Sequence, residues 1–135
     1  MLFNPKESID FNGNTGPFIQ YTHARIKSIL RKAENEHFTT DFNGAELVQK
    51  EIELIKLLAT YPDKVEEAAD AKSPALIANY CYALAKEFNQ YYHDYSIIKE
   101  EDSSVRALRL SLAKMVADVL VKGMDILGIK LPERM

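Results

Sequence analysis

Between residues 17 and 32 the charged side chains are Arg25, Lys27, Arg31 and Lys32, with no acid among them, and Phe18 and Tyr21 stand at the head of the same stretch. At helical pitch Phe18, Tyr21, Arg25, Ser28 and Lys32 share one stripe, turned by more than ~90° from an apolar stripe of Ile19, Ile26, Leu30 and Ala33. Aromatic rings beside cations make the surface that unpaired nucleic acid requires. Rings stack on splayed bases at ~1–3 kcal/mol each, and basic groups hold phosphates by displacing counterions. The other reading of these residues is that Phe18 and Tyr21 pack beneath the N-terminal arm while the charges are solvated. A second cluster follows, in which Tyr80, Tyr82, Tyr91, Tyr92 and Tyr95, five of the seven tyrosines, crowd around His93. Tyr80, Tyr91 and Tyr95 continue an apolar helical stripe whose change from Leu84 and Phe88 to tyrosine marks a face leaving the core, since tyrosine favours sites with one wet end. Core packing and an exposed stacking surface both fit this cluster.

No other constellation supplies chemistry. His23, His37 and His93 share no i, i+4 spacing, and Cys81 has no sequence partner, so no metal motif forms. Cys81 reads as a small buried hydrophobe. Gly13-Asn14-Thr15-Gly16 lacks the lysine and spacing of a phosphate-binding loop. Carboxylates such as Glu51, Glu53, Glu66 and Glu67 fall on expected solvent faces. The residues by themselves define no catalytic centre.

Helices must position these side chains. Pro17 suits the first turn of a helix expected to run to about Glu36. Asn43, with Glu46 three residues on, forms a capping-box pattern opening a second helix, with an apolar stripe of Leu47, Val48, Ile52, Ile55, Leu58 and Ala59 that ends at Tyr61-Pro62. A short third helix is expected over roughly 62–71. Ser73 is the expected N-cap of a fourth, which carries Leu76, Ile77, Tyr80, Leu84, Phe88, Tyr91 and Tyr95. A solvated link, Lys99 to Asp102, leads to a fifth helix over about 103–127. Its expected inner side is Val105, Leu108, Leu112, Met115, Val116, Val119, Gly123 and Ile126, with Gly128 as the cap. No alternating run reads as a strand. The expected fold is all-α, an antiparallel bundle of about five helices, preceded by an irregular arm at 1–15.

Composition agrees. The chain has 135 residues, enough for one domain, with 47% hydrophobic and 27% charged residues, a globular balance. Its net charge of −3 excludes a general polyanion binder, though not a local basic patch. A lone cysteine forbids an internal disulfide and points to a reducing, cytoplasmic setting. No apolar run approaches the ~20 residues of a membrane span.

The segment Phe11-Asn12-Gly13-Asn14-Thr15-Gly16-Pro17-Phe18-Ile19-Gln20-Tyr21-Thr22-His23-Ala24-Arg25 resembles the G-x-T-G-P-Y-x-Q-Y-x-H-x-R signature that opens the C-terminal domain of class I arginyl-tRNA synthetases. Pro74 to Ala85, followed by Phe88-Asn89 and Tyr91-Tyr92, is similar to that domain's central helix, and Leu127-Gly128-Ile129 through Met135 to its ending. The resemblance covers nearly the whole chain and implies a bacterial-type DALR anticodon-binding domain at 16–135. It implies as partners the anticodon stem-loop of tRNA(Arg) and a catalytic domain of the same polypeptide, with neither DNA nor a membrane. The chain holds no His-Ile-Gly-His or Lys-Met-Ser-Lys-Ser signature. Catalysis, with ATP and magnesium, would therefore belong to a parent enzyme, and no cofactor is expected here. The residues it assigns to the anticodon are Phe18, Tyr21, Tyr91, Tyr95 and Met135, with Arg25 orienting the segment or meeting phosphate. Phe18 departs from the usual tyrosine, keeping a stacking ring and losing a hydroxyl. Two alternatives stay open: a helical protein-interaction module, or the equivalent domain of another class I synthetase such as the cysteinyl enzyme.

Overall fold

The computed structural model of the chain describes residues 16–33 and 46–134. The arm at 1–15, Asn43 and Met135 lie outside them. Among the described residues five helices follow one another: α1 (Gly16–Lys32), α2 (Gln49–Ala59), α3 (Tyr61–Ala71), α4 (Pro74–Asp94) and α5 (Ser103–Ile126). Among the described residues there is no strand, in line with the all-α expectation.

The helix ends show local sequence at work. Pro17 occupies the first turn of α1, where its missing N–H would have had no helical partner. α2 starts later than the Asn43 pattern suggests. Glu51 takes the reaching-back role at its entry, its carboxylate accepting from the Val48 N–H at 2.8 Å. Thr60 breaks α2 from α3, its hydroxyl donating to the Leu57 carbonyl at 2.7 Å, and Pro62 sits in the first turn of α3. Ser73 is extended, as a residue before proline must be, and occupies the N-cap of α4 without a side-chain capping bond. Asp102, expected only as part of a solvated link, caps α5 instead by accepting from the N–H groups of Ser104 and Val105 at 2.9 and 3.3 Å. Gly128 turns the chain out of α5 at φ +77°, with Gly128 N–H bonded to Asp125 and Ile129 N–H to Met124, a Schellman ending.

α4 packs against each of the other four helices, and α5 lies along α1, α2 and α4. The inner face of α4 is Ile77, Tyr80, Cys81, Leu84, Ala85, Phe88 and Tyr91. It meets α5 at Gly123, where a Cβ would lie 2.5 Å from the Cys81 Sγ, so glycine is what lets the two helices touch there. Burial raises the Cys81 thiol to about 12, which makes it a packing group and not a nucleophile.

Several expected faces are rotated. In α2 the inward residues are Glu51, Leu54 and Leu58, while Leu47 and Ala59 are exposed. In α5 Met115 and Ile126 face outward, and Leu110, Ala113, Ala117, Leu120 and Met124 supply the core with Leu112 and Val116. α5 touches three helices, so its buried arc is wider than a single stripe and is turned away from the edge that carries Met115 and Ile126.

Lys72 closes α3 in a left-handed conformation, φ 52° and ψ 41°, with its N–H and that of Ser73 bonded to the Ala69 and Ala68 carbonyls. A Cβ disfavours this geometry. Lys72→Gly should therefore stabilise the fold by about 1 kcal/mol, read as a rise in urea midpoint at unchanged slope.

Candidate nucleic-acid interface

The outer flank of α1 and the adjoining flank of α4 carry one aromatic and polar patch. Tyr21 and Tyr82 are 47% and 39% exposed, unusual for rings of this size. Half-buried Phe18 meets Tyr82 edge to face at 5.5 Å. Arg25 lies over the Tyr21 ring at 4.7 Å and the Tyr92 ring at 5.4 Å. Its Nη2 donates to the Tyr21 hydroxyl at 2.7 Å, and its Nη1 to the Asn89 Oδ1 at 2.6 Å. Asn89 in turn donates to the Thr22 hydroxyl and to the Ala85 carbonyl. The patch thus stands on two helices joined by hydrogen bonds, with exposed ring faces above.

The basic residues of α1 do not form one stripe. Residues two apart on a helix diverge by about 200°, so Lys27 and Arg31 lie on the far flank from Arg25 and Lys32. That far flank receives the C-terminal strap. Arg31 Nη1 donates to the Glu133 carbonyl at 3.2 Å, and His23 Nδ1 lies 2.7 Å from the Pro132 carbonyl. A carbonyl only accepts, so neutral His23 carries its proton on Nδ1. His23 Nε2 is buried with no hydrogen-bond partner among the described residues. Burial, reinforced by the Lys27 charge, lowers the His23 pKa against the opposing pull of the Pro132 hydrogen bond. His23 is therefore a neutral structural group.

Tyr91 and Tyr95 do not join the patch. Tyr91 is fully buried, and its hydroxyl donates to Glu51 Oε2 at 2.6 Å. Burial first, and that hydrogen bond second, push its pKa well above the usual phenol range. The expectation that Tyr91 stacks on a base is corrected by this geometry, because an enclosed ring offers no free face. Tyr95 is half-buried, 5.6 Å from Tyr91, with the Arg109 guanidinium 5.3 Å from its ring. Arg109 also donates to the Ser96 carbonyl at 2.8 Å and to Glu100 at 3.1 Å, and its Nε lies 3.6 Å from Glu51 Oε2. At that length the last contact is an ion pair and not a hydrogen bond. Glu51, expected to be solvated, is instead 1% exposed at the centre of this network.

Of the expected site residues, the structure brings Phe18, Tyr21 and Arg25 together, places Tyr95 in a separate ionic cluster, puts Tyr91 in the core, and leaves Met135 outside the described residues. Tyr82 and Tyr92, which belong to the tyrosine cluster read as core or stacking surface, join the patch, and Asn89 is an addition. Its signal was spacing, since Tyr82 and Asn89 are seven residues apart and so share a face of α4.

Residues 19–135 match the DALR anticodon binding domain family, and the chain belongs to it. It is 53% identical, along its whole length, to the arginine–tRNA ligase of Porphyromonas gingivalis and 53% identical to that of Flavobacterium psychrophilum. The chain spans only 23% and 22% of those two proteins. The arginyl-tRNA synthetase structure of Thermus thermophilus superposes with a TM-score of 0.81 at 36% identity, over 98% of this chain and 23% of that one. A chain from Campylobacter jejuni shares the fold at a TM-score of 0.79 and 22% identity, covering 90% of this chain and 27% of its own.

Removing one partner from the buried ionic cluster strands a charge. Arg109→Met should destabilise the protein by about 3–5 kcal/mol, and adding Glu51→Gln should restore part of that loss, both read by urea unfolding.

Proposed function

We propose that this chain is the anticodon-reading part of an arginine–tRNA ligase, and that the α1–α4 patch meets the unpaired anticodon loop of tRNA(Arg). The carrying observation is the exposed Tyr21 ring, held against Arg25 and flanked by Tyr82, on a chain of the DALR family. Anticodon bases splay outward and are read between aromatic side chains, which a rigid pair of helices presents without loop ordering. Lys32, exposed on the same flank as Tyr21, adds a phosphate contact. Phe18, edge-on to Tyr82, borders the surface.

In this reading the domain performs no chemistry of its own. Joining arginine to tRNA falls to the catalytic part of the ligase, which handles ATP and magnesium and works in the cytoplasm. The domain supplies orientation and selectivity, holding the far end of the tRNA so that its acceptor end reaches the catalytic part. The similarity to arginine–tRNA ligases along the whole chain favours this enzyme over another class I synthetase.

Tyr21→Ala should weaken binding of the arginine anticodon stem-loop by ~1–3 kcal/mol, with the melting temperature unchanged. Tyr21→Phe should keep part of the affinity, because the stacking ring is retained while the hydroxyl bond to Arg25 is lost. Full affinity in Tyr21→Ala, or equal binding of a stem-loop with an unrelated anticodon, would contradict the proposal.

A further inference from the structure

We propose that Asn89 is a positioning residue for RNA recognition, acting through Arg25 to set the Tyr21 ring, and that Arg25 serves this internal clamp instead of gripping phosphate. The inference rests on the RNA-binding reading above and deepens it.

The hydrogen bonds run in one direction. Thr22 donates its hydroxyl proton to the Phe18 carbonyl at 2.9 Å, leaving its oxygen free to accept. Asn89 Nδ2 fills that acceptor at 2.7 Å and also donates to the Ala85 carbonyl at 2.8 Å. Both neighbours of Nδ2 accept, so the amide has one satisfactory orientation, and it directs Oδ1 at Arg25. Flipping the amide would set N–H groups against the guanidinium and oxygen against oxygen.

Two of the five N–H donors of Arg25 are committed within the patch. Nη1 donates to Asn89 and Nη2 to the Tyr21 hydroxyl, and rings of Tyr21 and Tyr92 lie against the guanidinium. A guanidinium held this way fixes the ring it touches, because its planar fork has few alternative geometries. Asn89 is thus two bonds removed from the exposed ring and still decides where it stands.

The test measures stem-loop binding by this chain against salt concentration for wild type, Arg25→Ala, Asn89→Ala and the double variant. Both single variants should bind at least about fivefold more weakly, with the wild-type salt slope, since no phosphate contact is lost. The double variant should bind no more weakly than the weaker single one, because one clamp has been broken twice. A slope reduced by about 0.7 in Arg25→Ala would assign it to phosphate and overturn the proposal, as would unchanged affinity in Asn89→Ala. A second reading needs no RNA. In the free protein, Asn89→Ala should shift the Tyr21 ring signals in NMR spectra while leaving those of Tyr80 in place. Unmoved Tyr21 signals would overturn the clamp, whereas loss of stem-loop binding by wild type would overturn the RNA reading alone.

Discussion

Everything in this bundle depends on α4 being enclosed by four neighbours at once. In such a position each buried side chain is decided by the helix it meets. Toward α5 and the core it presents small and apolar groups, down to the Cys81–Gly123 approach. Toward α1 it presents Asn89, a polar joint. Along the outer edge of the α1–α4 contact Tyr21 and Tyr82 reach water. The candidate interface thus rests on the core beneath it.

Polar groups hold the two ends of this arrangement in place. At the C-terminal end of α4, Arg109 gathers Glu51, Glu100 and the Ser96 carbonyl, and so ties the start of α2 to the link before α5. Tyr80 does similar work further back, donating to the Leu57 carbonyl at 2.7 Å, with burial raising its pKa to about 12. Acidic side chains collect elsewhere, where Asp63, Glu66, Glu67 and Asp70 surround a shallow depression on α3. A net charge of −3 is therefore compatible with an RNA surface on α1 and α4, because the acids of α3 are concentrated on a different helix.

The helices were legible in the sequence because their signals are local. Pro17, Pro62, Pro74 and Gly128 mark ends by backbone constraint alone, and the α4 stripe from Ile77 to Phe88 follows from spacing. What spacing could not reveal is which side of a stripe faces a second or third helix. Met115 and Glu51 were misplaced for that reason. Glu51 is buried beside the Tyr91 hydroxyl and the Arg109 guanidinium, both far away in the chain. Tyr91 carried the same ambiguity, since a tyrosine at the end of an apolar stripe is core or surface according to whether a carboxylate waits at its hydroxyl. The Tyr21–Arg25 pairing was visible as an i, i+4 relation, but its anchor, Asn89, needed the fold to bring α4 alongside.

The RNA surface proposed above is the α1–α4 patch and excludes the buried Tyr91 of α4. The most direct measurement is an NMR titration of the protein with the arginine anticodon stem-loop, following each assigned aromatic ring. The account predicts that Tyr21 and Tyr82 move first and furthest, while Tyr91 keeps its free-state position throughout. Large shifts at Tyr91, or shifts centred on α3 with Tyr21 unmoved, would contradict it.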